Sequence, residues 1–238
     1  MGRAFYPFRS TDSTQDVAKK LAAAGAPEGT VVVADYQTRG RGRAGRTWLA
    51  EPGLNLLLSV LLRPSLPLAR VPQLSLLAAV ASTEALAAEP GVSARIRWPN
   101  DLMLAGRKVG GVLTEAASGA ERVLYAVIGI GINVNQTGFP EEIRDRATSL
   151  ALTTGRVLDR ERLLEALLAA LDRWYAIYLE TGFEAVRSAW CRSSATLGEW
   201  VVGGQGVSGT ALDLDEDGAL LVRIPSGIVK RVVAGEIQ

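Results

Sequence analysis

Four short segments of this 238-residue chain concentrate side chains able to do chemistry. Gly40-Arg41-Gly42-Arg43-Ala44-Gly45-Arg46-Thr47-Trp48 holds three arginines and three glycines in nine residues. The glycines let backbone N–H groups approach anionic oxygens closely, and each arginine supplies a planar, permanently charged, bidentate donor. Without an anion such a loop repels itself, so it is expected to be mobile when empty and to order over ligand. A solvated basic loop and an RNA-binding stretch remain alternatives for this segment alone. The RNA reading lacks repeats and interleaved aromatics.

Arg97-Trp98-Pro99-Asn100-Asp101 places an amide and a carboxylate after a proline-fixed turn, suited to a metal–phosphate or a cationic nucleophile; an ordinary turn is the alternative. Lys108-Val109-Gly110-Gly111 opens a strand with a lysine and a glycine pair. A compact ammonium there can bridge a carboxylate and a phosphate while the glycines leave room; a strand-edge lysine opposing aggregation is the other reading. Only four basic residues are lysine (Lys19, Lys20, Lys108 and Lys230) among 26 Lys and Arg, so the placement is informative. Gly129-Ile130-Gly131-Ile132-Asn133-Val134-Asn135 reads as a flat strand floor with Asn133 facing a polar ring edge, or else as a bulge. It lacks the third glycine and the helix start of a dinucleotide fingerprint.

Absences narrow the chemistry. The chain has no histidine, which excludes Ser-His-Asp and Cys-His machinery and His-ligated zinc. A single cysteine, Cys191, permits no internal disulfide. No apolar leader and no run of membrane-spanning length occurs, so a cytoplasmic enzyme is expected. A net charge of +1 gives no general reason for nucleic-acid or membrane binding.

Positioning these segments requires a mixed scaffold. Asp12 or Ser13 can cap a short helix with Val17, Ala18 and Leu21 on its apolar face, ending at Gly25. Residues 30–34, 54–62, 94–98 and 122–135 read as strands. Residues 102–104 and 108–115 flank the turn Ala105-Gly106-Arg107 as a hairpin. Val71-Pro72 opens a helix to about Ala88, apolar nearly all round and therefore central. Residues 160–180 form an amphipathic helix ending at Gly182, followed by a second helix over 183–193. After Ala195 the chain turns to short strands at 200–202, 207–212, 219–224 and 228–233, with Asp217-Gly218 as a hairpin turn: a small all-β, barrel-like module. The larger part is α+β, without the even alternation of a doubly wound sheet.

Taken together and in order, these segments resemble the signature segments of biotin–protein ligases: Gly40-Arg41-Gly42-Arg43 with Arg46 and Trp48, Trp98-Pro99-Asn100-Asp101, Lys108-Val109-Gly110-Gly111, and Gly129-Ile130-Gly131-Ile132-Asn133. Gly218-Ala219-Leu220-Leu221-Val222 and Gly235-Glu236-Ile237 are similar to that family's SH3-like domain. Asp12-Ser13-Thr14-Gln15 resembles its DSTN segment, with glutamine for asparagine. The resemblance covers essentially the whole chain.

It implies a catalytic domain (1–192) with a mixed, mainly antiparallel sheet flanked by helices, as in class II synthetases and biotin–lipoate ligases, and a small C-terminal SH3-like β-barrel (193–238). It implies ATP-dependent activation of biotin to biotinyl-5′-AMP, then transfer to a lysine of a biotin carboxyl-carrier domain of acetyl-CoA carboxylase or a related carboxylase, with Mg²⁺. By this resemblance Lys108 contacts the biotin carboxylate and the α-phosphate, and Arg43 binds phosphate with Arg41 and Arg46 in support. Trp48 packs on adenine and Asn133 reads its edge. Asp101 and Asn100 hold Mg²⁺ or orient the acceptor lysine. Ser13, Thr14 and Gln37 bind the ureido ring, with Gly40, Arg41, Gly111 and Gly129 around the biotin; Gln15 puts that edge in question. Arg97 stands where lysine is common. The family's N-terminal helix-turn-helix is missing, so no DNA binding and no membrane binding are expected; a homodimer is plausible. A lipoate–protein ligase, or a nucleic-acid-binding protein using the Arg/Gly loop, are the alternatives.

Overall fold

The computed structural model describes residues 1–119, 122–203, 206–233 and 235. Glu236 and Ile237, from the closing segment singled out above, lie outside the described residues. The order is β1 (Ala4–Phe8), α1 (Thr14–Ala23), β2 (Thr30–Ala34), β3 (Leu56–Leu62), α2 (Val71–Ala87), β4 (Arg95–Arg97), β5 (Asp101–Leu104), β6 (Arg107–Ser118), β7 (Val123–Ile132), α3 (Leu150–Thr154), α4 (Arg160–Thr181) and α5 (Glu184–Arg192). Then come β8 (Trp200–Val202), β9 (Ser208–Leu214), β10 (Leu220–Arg223) and β11 (Val229–Val232). The first seven strands form one sheet in the order β1-β2-β3-β7-β6-β5-β4. Every neighbouring pair is antiparallel except β1 with β2.

The helices divide between the two faces of this sheet. Period-2 alternation sends Val31, Leu58, Val60, Ile128 and Ile130 to the face covered by α2, which α4 and α5 pack in turn. The even apolarity of α2 follows from this position between the sheet and other helices, and 12 of its 17 residues are buried. The opposite face sends Val32, Leu61 and Val127 to a smaller cluster with Ala18 and Ala22 of α1. Helix α1 covers only part of that face.

Local signals account for most boundaries. Asp159 caps α4 by accepting from the N–H groups of Glu161 and Arg162, and Gly182, at φ +78°, closes it. The β5–β6 hairpin turns through Ala105 and Gly106, both at positive φ. Two elements went unanticipated. β1 carries Pro7 and exposed Phe5 and Tyr6, so it shows neither alternation nor an apolar run; it sits at the sheet edge, where proline is tolerated. α3 is too short for any period, but Ser149 caps it and Gly155 ends it in the left-handed region.

The described C-terminal residues form a four-stranded antiparallel sheet, β11-β10-β9-β8. Its β9–β10 turn is locked by Asp215, which accepts from the N–H groups of Asp217 and Ala219. The turn docks on the larger unit: Trp98 Nε1 donates to the Gly218 carbonyl at 3.3 Å, and Gln73 Nε2 to that of Glu216 at 3.1 Å. The connector runs beside β4, with Ile96 N donating to Ser193 O and Ala195 N to Ile96 O. Gly218 needs its missing side chain twice over, because its φ is +89° and a Cβ would stand 2.5 Å from Leu76 Cδ1. Gly218→Ala is therefore expected to destabilise the protein by about 1–3 kcal/mol through overpacking and backbone strain. A thermal midpoint within about 1 °C of wild type would show that the turn does not press on α2.

Candidate active site

The part of the sheet face left open beyond α1 is built from one register. Leu57 of β3 pairs with Gly131 of β7, which pairs with Gly111 of β6, which pairs with Asp101 of β5. The next row on the same face is Ser59, Gly129 and Leu113. Three glycines and a serine thus occupy positions where a closed core would hold branched side chains. Above them lies a cavity of about 760 Å³. It is lined by the glycine–arginine loop, the Arg97–Asp101 segment, Lys108, the N-terminus of α1 and residues 139–147.

Of the residues singled out in the sequence, Ser13, Thr14, Gln37, Arg41, Arg43, Arg46, Trp48, Arg97, Asn100, Asp101, Lys108, Gly111, Gly129 and Asn133 all line this cavity. Gly40 does not. A Cβ there would meet the Trp48 carbonyl oxygen at 2.6 Å, so the loop's own packing requires a glycine at this position. Ser59, Met103, Phe139 and Ile143 line the cavity and were not anticipated. A lone serine in the apolar run Leu56–Leu62 was a usable signal for Ser59. Residues 139–147 follow no period and gave none.

At the cavity's centre Lys108 Nζ stands 2.5 Å from Asp101 Oδ1, and 5.8 Å from the centroid of the Trp48 ring. Both partners of the ion pair are about one-third exposed, so the pair orients the ammonium more than it stabilises the fold. The Lys108 backbone is clamped from the far side: its N–H donates to Arg146 O, and its carbonyl accepts from Thr148 N. Trp48 lies directly over Gly131, whose Cβ would come within 2.7 Å of the indole.

Arg43 Nη1 donates to Asn100 Oδ1 at 3.1 Å, and Asn100 Nδ2 donates back to the Val112 carbonyl. Both ends of the Asn100 amide are thereby committed, and its role is to brace Arg43. Burial pushes the Arg43 guanidinium below its ordinary pKa, with Asp101 acting in the opposite sense and Arg46 reinforcing the fall. A half-buried cation of this kind is stabilised by an incoming anion.

The expectation of a self-repelling loop is corrected here, because distant segments supply its counter-charges. Arg39 pairs with Asp12, and Arg41 reaches Asp16 of α1 at 2.7 Å and Glu115 of β6 at 3.1 Å. Lys19 meets the same two acids.

The two ends of the cavity differ in chemistry. Toward Gly129 the cavity presents Ser13, Thr14 and Gln37, hydroxyl and amide groups suited to a small polar ring, while Ser59 is hydrogen-bonded to Gln15 and to Thr14. Four residues further on, just past the end of β7 and about 13 Å away at the usual strand rise, comes Asn133. Its Nδ2 donates to Thr148 O at 3.0 Å, while Oδ1 is buried without a partner. That orphaned acceptor beside Phe139 and Ile143 suits the amino edge of a planar heterocycle.

Comparison with known proteins agrees with this geometry. Residues 7–133 match the model of the Biotin/lipoate A/B protein ligase family, and residues 201–238 that of the Biotin protein ligase C terminal domain. The chain is 40 % identical over 232 residues to the bifunctional ligase/repressor BirA of Bacillus spizizenii, covering 95 % of this chain and 71 % of that protein. It is 37 % identical over 225 residues to the biotin–[acetyl-CoA-carboxylase] ligase of Paracoccus denitrificans, covering 91 % and 93 %. The structure of Aquifex aeolicus biotin protein ligase in complex with biotin and ATP superposes with a TM-score of 0.86 at 34 % identity, over 99 % of this chain and 98 % of that one. A cavity floored by glycines, with Lys108 at its centre, thus sits in a chain that belongs to the biotin/lipoate A/B protein ligase family, among its biotin protein ligases.

Proposed function

We propose that this protein activates biotin with ATP to biotinyl-5′-AMP and then transfers the biotinyl group to a lysine of a biotin carboxyl-carrier domain. The observation that carries this reading is the position of Lys108. It lies over the glycine floor between a polar ring-sized end at Gly129 and the unpartnered Asn133 acceptor, where an acyl carboxylate and an α-phosphate would meet.

In the first step a biotin carboxylate oxygen forms a bond to the α-phosphorus and pyrophosphate leaves. Two anions must approach each other, so the chief barrier is electrostatic. The Lys108 ammonium, held by Asp101, supplies positive charge to both, and Arg43, held by Asn100, supplies it to the phosphate. In the second step the acceptor amine attacks the acyl carbonyl and AMP departs. Asp101 is the carboxylate able to attract the incoming lysine and to hold the proton it must lose. Neither step needs a histidine, in accord with the composition.

The Mg²⁺ that accompanies ATP finds a limited donor set. Among the described residues no group of three or more acidic, cysteine or histidine side chains is arranged to hold a metal. Asp101 is paired with Lys108, and the Asn100 amide is committed to Arg43 and Val112. This fits an ion carried on the nucleotide's phosphates, with Asp101 as a single protein ligand. When bound, such an ion neutralises phosphate charge.

The carrier-domain acceptor is supported by the names of relatives such as the Paracoccus ligase. A net charge of +1 supports a protein rather than a nucleic-acid acceptor. A single cysteine and the demand for ATP support a cytoplasmic setting, and no helix among the described residues is long and apolar enough to cross a membrane.

Two measurements test this reading. Biotin-dependent ATP–pyrophosphate exchange is expected in the wild type, absent with lipoate, and reduced by about 10²–10³-fold in Lys108→Ala, the usual cost of removing one charge-stabilising donor. Exchange with lipoate but not biotin would overturn the substrate assignment. Asn133→Ala is expected to raise the KM for ATP about tenfold, the loss of one hydrogen bond, while the KM for biotin stays unchanged. A rise in the biotin KM instead would move Asn133 out of the nucleotide end.

A further inference from the structure

Gln15 is buried in the cavity wall, and both ends of its amide are hydrogen-bonded within the protein. Nε2 donates to the Leu113 carbonyl of β6 at 3.2 Å and to the Val127 carbonyl of β7 at 3.1 Å. A flipped amide would set its oxygen against two carbonyl oxygens, so the orientation is determined by the sheet. Oε1 consequently faces Ser59, whose Oγ lies 3.0 Å away. Gly129 provides the room, since a Cβ there would stand 2.7 Å from that oxygen.

Ser59 has one hydroxyl hydrogen, and Gln15 Oε1 claims it. The 2.9 Å contact between Ser59 Oγ and Thr14 Oγ1 must therefore be made with Thr14 as donor, or left without a hydrogen while Thr14 donates to Gln37 Oε1 at 3.0 Å. Gln37 Oε1 also accepts from Thr14 N at 2.7 Å and has no hydrogen to give back. Neither neighbour can donate to the Thr14 hydroxyl. Its lone pairs remain available beside the cavity for an N–H group of a ligand.

We infer that Gln15 is a specificity-determining positioning residue. By holding the Ser59 hydrogen it keeps Thr14 Oγ1 an acceptor, and so selects a ring that presents an N–H donor at this end. The inference rests on the biotin reading above, where that donor is a ureido N–H. Gln15 acts through Ser59 and Thr14. If Gln15 loses its acceptor, Ser59 is free to donate to Thr14 and competes with the ligand for the same lone pairs.

The competition makes an unusual double-mutant signature. Biotin affinity is measured by calorimetric titration of the protein, with thermal melting as a check on folding in every variant. Gln15→Met is expected to weaken biotin about tenfold, the worth of one hydrogen bond to the ligand. Ser59→Ala leaves it within about threefold of wild type, and Gln15→Met combined with Ser59→Ala recovers to that same range, a negative coupling between contacting residues. A purely structural Gln15 would make the double variant weaker than either single one, and that result overturns the inference. Should Gln15→Met fail to fold, Gln15→Glu serves instead. Protonated in this buried site, it keeps an oxygen toward Ser59 and a donor for one carbonyl, and it is expected to retain biotin affinity within about threefold. A tenfold loss in a folded Gln15→Glu counts against the proposal. Failure of the wild type to bind biotin overturns the functional reading itself, and this inference with it.

Discussion

A ligand can lie against the middle of a seven-stranded sheet only where one face lacks side chains, and glycine at alternate positions creates that condition here. Gly129 and Gly131 on β7 and Gly111 on β6 share the open face, while the isoleucines between them, Ile128, Ile130 and Ile132, complete the core on the other side. Strand pairing supplies rigidity without side-chain packing. The vacated space is then filled by groups that serve the site: Gln15 against Gly129, and Trp48 over Gly131. Every residue with a role in the chemistry is placed relative to that floor.

Charge is handled by the same economy of position. Two cations converge on the cavity, and each is restrained by a polar partner at the start of β5, Lys108 by Asp101 and Arg43 by the preceding Asn100. Arg39 and Arg41 draw on Asp12, Asp16 and Glu115, contributed by the turn before α1, α1 itself and β6. Because these pairs are partly exposed, they hold geometry at small energetic gain. An anionic substrate meets donors that already point inward, which reduces the reorganisation needed in the reaction.

The small β-sheet contributes through a single turn. Asp215 orders the backbone from residue 215 to 219, and the carbonyls of Glu216 and Gly218 receive hydrogen bonds from Gln73 and Trp98. Trp98 lies two residues before Asn100, which braces Arg43. The C-terminal unit is thereby joined by a short covalent path to the arginine expected at the phosphate.

Sequence alone determined the parts that depend on local chemistry. Helix caps and alternating apolar residues set the course of α4 and the central strands, and the motif segments named most of the charged and polar side chains now found around the cavity. Those signals are local because turn conformation, capping and pleat are decided by neighbours along the chain. Partnership across the sheet was decided only by tertiary structure. Nothing in the order of residues says that Asp16 and Glu115 would neutralise Arg41, that Gly40 would lie against the Trp48 carbonyl, or that Ser59 would stand opposite Gly129 and hydrogen-bond to Gln15. Those contacts follow from strand register, which is set when whole faces of the sheet are buried together, and a register belongs to no single segment of sequence.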